Sequence, residues 1–204
     1  MRKSAIFAAV LACLCCVQFA SAQQGDVDFG GSTVLSSTPT ASSFFQQAER
    51  GGTYLNIGAD VVFKRRIGFA WETAWRASQA SYEGGYETYR PILTDFNALY
   101  QPRLGKKLGA DITAGIGIDS TRFYVPAIVS CSYFGGCINY NSTHHFMEDL
   151  GFGVRYYVWH HVFVRPEIHY YHVQGNTDVN TGGFSSDNLF RVGASLGYTI
   201  GGPE

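Results

Sequence analysis

The stretch Arg65-Arg-Ile-Gly-Phe-Ala-Trp-Glu-Thr-Ala-Trp-Arg-Ala-Ser-Gln79 alternates between two kinds of side chain. One parity carries Trp71 and Trp75, and the other carries Glu72 and Arg76. A period of two residues predicts a β-strand with two unlike faces. The stretch alone does not say which face is inside. A water-soluble sheet would bury the tryptophans, whereas a membrane barrel would turn them toward lipid and enclose the charges.

The same alternation recurs along the chain and predicts eight strands. Their approximate bounds are 26–35, 53–63, 65–82, 89–104, 108–123, 145–158, 162–173 and 189–200. These runs match or exceed the roughly 9 to 11 residues with which a tilted strand crosses a bilayer. Pro166 lies inside the seventh run and predicts a bulge or an unpaired position there, because proline has no amide hydrogen.

The connections between the runs alternate in length. Short connections lie near 64–66, 105–107 and 159–160, and longer ones at 36–52, 83–88, 124–144 and 174–188. In an up-and-down barrel, successive connections fall at opposite rims. Short turns at one rim and long loops at the other are typical of an outer-membrane barrel. The sequence therefore predicts an all-β fold, an eight-stranded antiparallel up-and-down transmembrane β-barrel.

The N-terminal residues have the pattern of a secretory signal. Arg2 and Lys3 precede an apolar stretch, and Ala20-Ser-Ala22 matches a cleavage site, so we expect a cleaved signal at 1–22 and a barrel domain at 23–204. An uncleaved anchor helix and a lipoprotein cut before Cys13 are weaker alternatives. No later apolar run approaches the roughly 18 to 20 residues of a membrane helix, so any membrane crossing is expected to use strands.

The composition agrees with a membrane barrel. Charged residues make up 15% of the chain, against about 25% in an ordinary soluble domain. The net charge of −1 and the lack of a basic run argue against a nucleic-acid partner.

Charged residues concentrate on one parity of the predicted strands, which we assign to the barrel interior, so that Trp71 and Trp75 face lipid. This predicted interior network has five acids and five arginines, which we expect to pair because enclosed charges need partners. Its members are Asp60, Glu72, Arg76, Asp95, Arg103, Asp111, Arg155, Arg165, Glu167 and Arg191. Glycines of the same parity leave room for the long arginines in an eight-stranded interior.

Two cysteines remain after the predicted signal, Cys131 and Cys137. Exported chains meet oxidising conditions, so we expect a local disulfide between them that staples a long loop.

No motif for catalysis, a cofactor or a metal ion stands out, and we expect none of these. His169 and His172 have opposite parity and cannot chelate one ion from a regular strand. A cluster of Ser142, His144, Glu148 and Asp149 leaves open a lipid-modifying enzyme of acyltransferase or deacylase type. His144 and Glu148 are about 13 Å apart along a strand, which is too far for direct pairing.

The signal, the eight amphipathic runs and the closing Arg191-Val-Gly-Ala-Ser-Leu-Gly-Tyr-Thr-Ile-Gly201 together resemble the small bacterial outer-membrane β-barrels of OmpA/OmpX type, in the porin-like outer-membrane barrel superfamily. Such barrels commonly end on an aromatic residue, whereas here Gly201-Gly-Pro-Glu204 follows the last strand. The resemblance implies a location in the bacterial outer membrane, with outer-membrane lipid and lipopolysaccharide as surroundings.

The ten charges of the interior parity argue against a lipocalin-like carrier, which needs an apolar cavity. We therefore expect a structural or surface-interaction role, with an extracellular ligand or an envelope protein contacted through the long loops. The best candidates are 36–52, which contains Phe44-Phe45, and 124–144. A small passive pore and the lipid-modifying enzyme remain the alternatives.

Overall fold

The computed structural model describes residues 24–37, 49–63, 66–82, 87–124, 130–132, 136–174 and 188–201. The described residues form eleven strands. They are β1 Gln24–Ser37, β2 Tyr54–Val62, β3 Ile67–Arg76, β4 Ala80–Tyr82, β5 Glu87–Tyr100, β6 Leu108–Tyr124, β7 Ser130–Ser132, β8 Gly136–Ile138, β9 Tyr140–Tyr157, β10 Val162–Val173 and β11 Asn188–Ile200.

Eight of these strands close into one antiparallel barrel. Neighbours in the wall follow the order β3, β2, β1, β11, β10, β9, β6 and β5, and β3 pairs with β5 to complete the circle. The first and last strands pair directly, with Gly25 opposite Ile200. The prediction of an all-β, eight-stranded, up-and-down transmembrane barrel is confirmed.

Three strand boundaries differ from the sequence prediction. The third run breaks after Arg76 and continues as the short strand β4, which pairs with β5. β5 ends at Tyr100 rather than near 104. β9 begins at Tyr140, earlier than expected, because its ladder with β6 continues to the pair Tyr124–Tyr140. The β6–β9 ladder is the longest pairing in the wall and reaches toward the long-loop rim.

Pro166 causes an unpaired position and no bulge. The ladder between β10 and β9 has pairs at Val164 and Glu167 but none at Arg165 and Pro166, and the register is the same on both sides of this gap. On its other side Pro166 lies opposite Ala194. The missing amide hydrogen therefore interrupts one ladder without shifting it.

The wall has an apolar outer face. Phe29, Phe69 and Phe96 point outward and are 56%, 65% and 62% exposed in the isolated chain. Further outward residues that are exposed include Val27, Ile57, Ile112, Ile116, Leu150, Phe152 and Leu196. A continuous apolar surface of this extent needs a cover, which the hydrocarbon of the bilayer provides. Glu72 is buried on the opposite face of β3, so the acid of the 65–79 stretch faces the barrel interior.

None of the described residues forms a helix long and apolar enough to cross a membrane. The predicted signal at 1–22 lies outside the described residues.

Candidate functional site in the barrel interior

The interior near the short-turn rim contains a dense group of ionisable side chains, here named the charged layer. Its members come from all eight strands of the barrel and are all buried: Asp26, Asp28, Asp60, Glu72, Asp95, Asp111, Asp149, Arg155, Arg165, Glu167, His169 and Arg191. The alternation of each strand aims these side chains inward, and the closed wall brings them together.

Arg155 is the anchor nearest the short turns and is completely buried. Its guanidinium donates to Asp26, to Asp60 at 3.1 Å and to Asp111 at 2.7 Å. The guanidinium carbon also lies 4.0 Å from the ring centroid of Phe163, a cation–π distance. One cation thus holds carboxylates from three separate strands.

Arg165 occupies the next position inward. It donates to Asp28 at 3.0 Å, to Asp60 at 3.1 Å and to Glu167 at 3.0 Å, and its Nη1 is 3.4 Å from Asp111. Asp60 and Asp111 are therefore shared between two arginines, which makes the pairs a connected network. Charge-assisted hydrogen bonds of this kind are the stronger class of hydrogen bond in proteins.

Arg191 and His169 complete the charged layer at mid-barrel. Arg191 pairs with Glu72 through a short contact. The Nδ1 atom of His169 lies 3.1 Å from both carboxylate oxygens of Asp149, and its Nε2 atom lies 3.9 Å from Glu72. Asn97 donates to Asp149 and to Asp95, each at 2.7 Å.

The charged layer is acidic, whereas the sequence predicted balance. Within the described residues it has eight carboxyl groups, three arginines and one histidine. Sequence reasoning missed Asp26 and Asp28, because β1 alternates faintly, and it treated Asp149 as part of a rim cluster. The alternation of Val27 and Phe29 with the two acids was the sequence signal that could have found them, because Val27 and Phe29 face outward and Asp26 and Asp28 face inward.

Two of the ten predicted network residues lie outside the charged layer. Arg76 is only partly buried near the long-loop rim, with its guanidinium carbon 5.8 Å from the ring centroid of Tyr89. Arg103 is exposed beyond the end of β5, where the two-residue period no longer applies. The placement of Arg103 in the interior was wrong. The other eight, Asp60, Glu72, Asp95, Asp111, Arg155, Arg165, Glu167 and Arg191, are buried together.

Above the charged layer lies an apolar layer, and the acids Glu49 and Asp119 are buried at the same end of the barrel. This apolar layer consists of Val34, Tyr54, Ala74, Leu93, Met147, Tyr171, Val173 and Leu189, which form one buried cluster. These residues lie on the strand portions that lead into the long loops. The hydroxyl of Tyr171 contacts Asp95 at 3.4 Å and joins the two layers.

Glycines of the inward parity make the close packing possible. A Cβ atom on Gly197 would lie 2.1 Å from the ring of Phe163, and one on Gly151 would lie 2.7 Å from the ring of His169. Between the side chains of the charged layer, a cavity of about 20 Å³ remains. That volume suits about one water molecule.

Three buried side chains of the charged layer have a geometry that could suit a metal ion. Glu72, Glu167 and His169 each offer one ligand atom, and these atoms lie within 4.8 Å of one another. Arg191 and Arg165 already approach the two carboxylates. The guanidinium groups therefore take the place of a cation.

The four residues of the predicted rim cluster, Ser142, His144, Glu148 and Asp149, lie on two different faces of the barrel wall. Asp149 points inward to His169 and Asn97, whereas His144 and Glu148 are exposed on the outer face. Glu148 accepts a hydrogen bond from Gln174 at 2.7 Å. Ser142 has the outward parity as well, so the four side chains do not form a nucleophile, base and acid set.

Cys131 and Cys137 lie directly opposite each other in the small β7–β8 hairpin. Opposed Cα atoms in an antiparallel pair are about 4.5 or 5.5 Å apart, within the range that a disulfide spans. The disulfide stays a prediction. Of the loops expected to carry specificity, residues 38–48, 125–129, 133–135 and 175–187 lie outside the described residues, including Phe44-Phe45.

The outer end of the β6–β9 ladder carries aromatic and cationic side chains. The rings of Tyr124 and Tyr140 have centroids 5.7 Å apart, and the guanidinium carbon of Arg122 lies 5.0 Å from the Tyr140 centroid. We name Arg122, Tyr124 and Tyr140 the outer aromatic cluster.

Comparisons with known proteins agree with this architecture. A family model described as "Outer membrane protein beta-barrel domain" matches residues 6–197. No curated protein matches the sequence.

Three solved structures share this fold with the chain at low sequence identity. Ail of Yersinia pestis, in complex with the heparin analogue sucrose octasulfate, is 12% identical with a TM-score of 0.54, covering 87% of this chain and 98% of that one. Neisserial surface protein A is 12% identical with a TM-score of 0.55, covering 87% and 95%. A major outer membrane protein from Thermus thermophilus is 11% identical with a TM-score of 0.57, covering 86% and 99%.

Proposed function

Because this chain belongs to the outer membrane protein β-barrel domain family and is located in the bacterial outer membrane, we propose that it is a closed barrel that contacts a ligand outside the cell. The wall anchors the protein, and the long-loop rim provides the contact surface. Long extracellular loops and short periplasmic turns are the usual orientation of such barrels.

The packing of the interior is the main observation in favour of a closed barrel. Tyr54, Leu93 and Met147 are completely buried inside the wall. The charged layer beneath them is held by three arginines. Two stacked layers of side chains support a barrel that does not conduct, in line with the filled interior expected of eight strands. The passive pore would need a continuous path through both layers.

Planar-bilayer recordings on the purified mature protein test the closed interior. We expect no discrete conductance steps at neutral pH, and a larger porin with an open aqueous channel, recorded in the same bilayers, serves as the positive control. Regular steps from the parent protein would contradict the closed barrel.

The outer aromatic cluster supports the contact surface. It combines an arginine with two tyrosines on a ladder that extends toward the long-loop rim. Arginine and tyrosine are enriched in the residues that dominate binding energy at interfaces. The structure of Ail with sucrose octasulfate adds support, because that barrel of the same fold holds a polyanionic sugar.

Binding of sucrose octasulfate to the detergent-solubilised protein tests this surface. We expect Arg122→Gln to weaken binding, whereas Arg66→Asn, which removes one positive charge at the opposite rim, leaves it unchanged. Asparagine suits Arg66 because its φ is 64°. Equal binding by the parent and Arg122→Gln would remove the outer aromatic cluster from the proposal.

The lipid-modifying enzyme is the less favoured function, because the wall separates Asp149 from His144. Lipid mass spectrometry of cells with and without the protein distinguishes the two. We expect unchanged acylation of lipid A and phospholipids, and a change that depends on Ser142 would favour the enzyme.

A further inference from the structure

A second site lies at the opposite end of the barrel, on the short-turn rim. A pocket of about 380 Å³ opens between the turn that joins β5 to β6 and the turn that joins β9 to β10. Its lining includes Arg103, Lys106, Lys107, Leu108 and Trp159. Because short turns face the periplasm in this fold, the pocket lies on the periplasmic side of the membrane.

The lining of this pocket is cationic and has no acid. Arg103, Lys106 and Lys107 contribute to it, and no Asp or Glu is among its described lining residues. The chain has only four lysines, and the three outside the predicted signal, Lys64, Lys106 and Lys107, all belong to short connections in the sequence. A concave cationic surface without acids in its own wall is suited to an external anion.

Apolar side chains border the same pocket on its membrane side. Leu108 and Val158 are exposed, and Trp159 is 73% exposed. Leu108 and Val158 follow the outward parity of β6 and β9, which faces hydrocarbon. Tryptophan is enriched where a membrane protein meets the headgroup region. An occupant of the pocket therefore meets positive charge and hydrocarbon within one site.

Backbone hydrogen bonds hold the turn that carries the two lysines. The amides of Leu104 and Gly105 both donate to the carbonyl oxygen of Leu108, at 2.9 and 3.0 Å. The amide of Tyr157 donates to the carbonyl oxygen of Lys107 at 2.9 Å and ties the turn to β9. The lysines are thus positioned beside the β9–β10 turn before any ligand arrives, which reduces the entropy lost on binding.

We propose that this pocket binds the phosphate-bearing headgroup of an anionic phospholipid in the periplasmic leaflet. Lys106 and Lys107 pair with the phosphate, and Leu108 and Trp159 contact the adjoining acyl chains. The apolar border favours a phospholipid over a water-soluble periplasmic anion, because a soluble anion gains nothing from exposed Leu108 and Trp159. This site is independent of the ligand contact proposed for the long-loop rim.

Native mass spectrometry of the folded mature protein, with phosphatidylglycerol and phosphatidylethanolamine at equal concentration, tests the proposal. We expect the parent protein to retain phosphatidylglycerol preferentially. The double variant Lys106→Gln/Lys107→Gln should bind it roughly twenty-five-fold more weakly, from about fivefold for each lysine near a charged headgroup. The matched control, Arg50→Gln/Arg66→Asn, also removes two positive charges but lies outside the pocket and should bind as the parent does.

Two further measurements make the result decisive. Heat-modifiable migration on a gel shows that each variant forms a closed barrel, and soluble glycerol 1-phosphate, which has the headgroup phosphate without acyl chains, serves as a competitor. We expect it to displace the lipid at least tenfold less effectively than added phosphatidylglycerol. The proposal is overturned if the parent retains both lipids equally, or if Lys106→Gln/Lys107→Gln binds phosphatidylglycerol as the parent does. It is also overturned if the control variant loses as much binding as the lysine variant, or if glycerol 1-phosphate displaces the lipid fully.

Discussion

The charged layer and the apolar layer fill the same cylinder by opposite means. Near the short turns, Arg155 and Arg165 connect carboxylates from across the barrel, and each pair depends on its geometry. Near the long loops, Leu93 and Met147 pack without directional bonds. A buried charge that loses its partner is severely penalised, whereas a lost methyl group costs only its own contacts and the cavity it leaves. The comparison indicates that the charged layer is the less tolerant of substitution.

The largest effect is expected from Arg155→Met. This change leaves Asp26 without its arginine and leaves Asp60 and Asp111 with Arg165 alone. Breaking a buried pair costs about 3 to 5 kcal/mol. We expect loss of the heat-modifiable folded band, or a much lower urea midpoint in liposomes followed by tryptophan fluorescence. Arg50→Met, at an exposed position, is the matched control. A normal midpoint for Arg155→Met would contradict the conclusion that the charged layer is the less tolerant of substitution.

Leu93→Ala tests the apolar layer. Leu93 is fully buried, so its truncation should lower the free energy of unfolding by about 2 to 5 kcal/mol, depending on how far the cluster closes over the cavity. The control is Leu150→Ala on the lipid-facing side, where lipid fills the space. Equal losses for the two variants would indicate that the apolar layer is not closely packed.

Gly197→Ala adds one methyl group beside the charged layer. The new Cβ would lie 2.1 Å from the Phe163 ring, against which Arg155 packs. Overpacking of this kind costs about 1 to 3 kcal/mol. At Gly31 the nearest atom to an added Cβ is 3.7 Å away, so Gly31→Ala is the control and should unfold at nearly the parent midpoint. A midpoint for Gly197→Ala as high as that of its control would contradict the close packing.

The smallest effect on the barrel is expected from removing the cysteines. The β7–β8 hairpin forms its own two-stranded sheet, so Cys131→Ser/Cys137→Ser should leave the unfolding midpoint unchanged. The predicted disulfide itself is tested by mass spectrometry of the non-reduced parent, which should lack two hydrogen atoms relative to the reduced protein. A parent with two free thiols would rule the disulfide out.

The faces of the strands could be predicted from the sequence, because parity alone decides them. Glu72 and Arg191 are buried for this reason, and Phe69 is exposed. The height of each residue along the barrel could not be predicted, because it depends on the register between strands. Leu93 and Asp95 share one parity in β5, yet one lies in the apolar layer and the other in the charged layer.

The acidic excess was missed for a related reason. Asp26 and Asp28 lie on β1, whose glycines and serines weaken the alternation. The interior partner of Asp149 is His169 on the next strand, a contact that emerges only when the register places Gly151 opposite that histidine. The pocket at the short-turn rim likewise requires two turns, separate in sequence, to be neighbours in space.

The direct pairing of β1 with β11 also constrains how the protein is made. Gly25 lies on the first strand of the barrel and Ile200 on the last, so the pairing between these two strands can form only after β11 has been synthesised. Until then the assembling sheet presents two open edges that can pair with a neighbouring chain. The two edges of the incomplete sheet therefore have to be protected during insertion. A chain truncated before β11 would keep both edges unpaired and prone to aggregation.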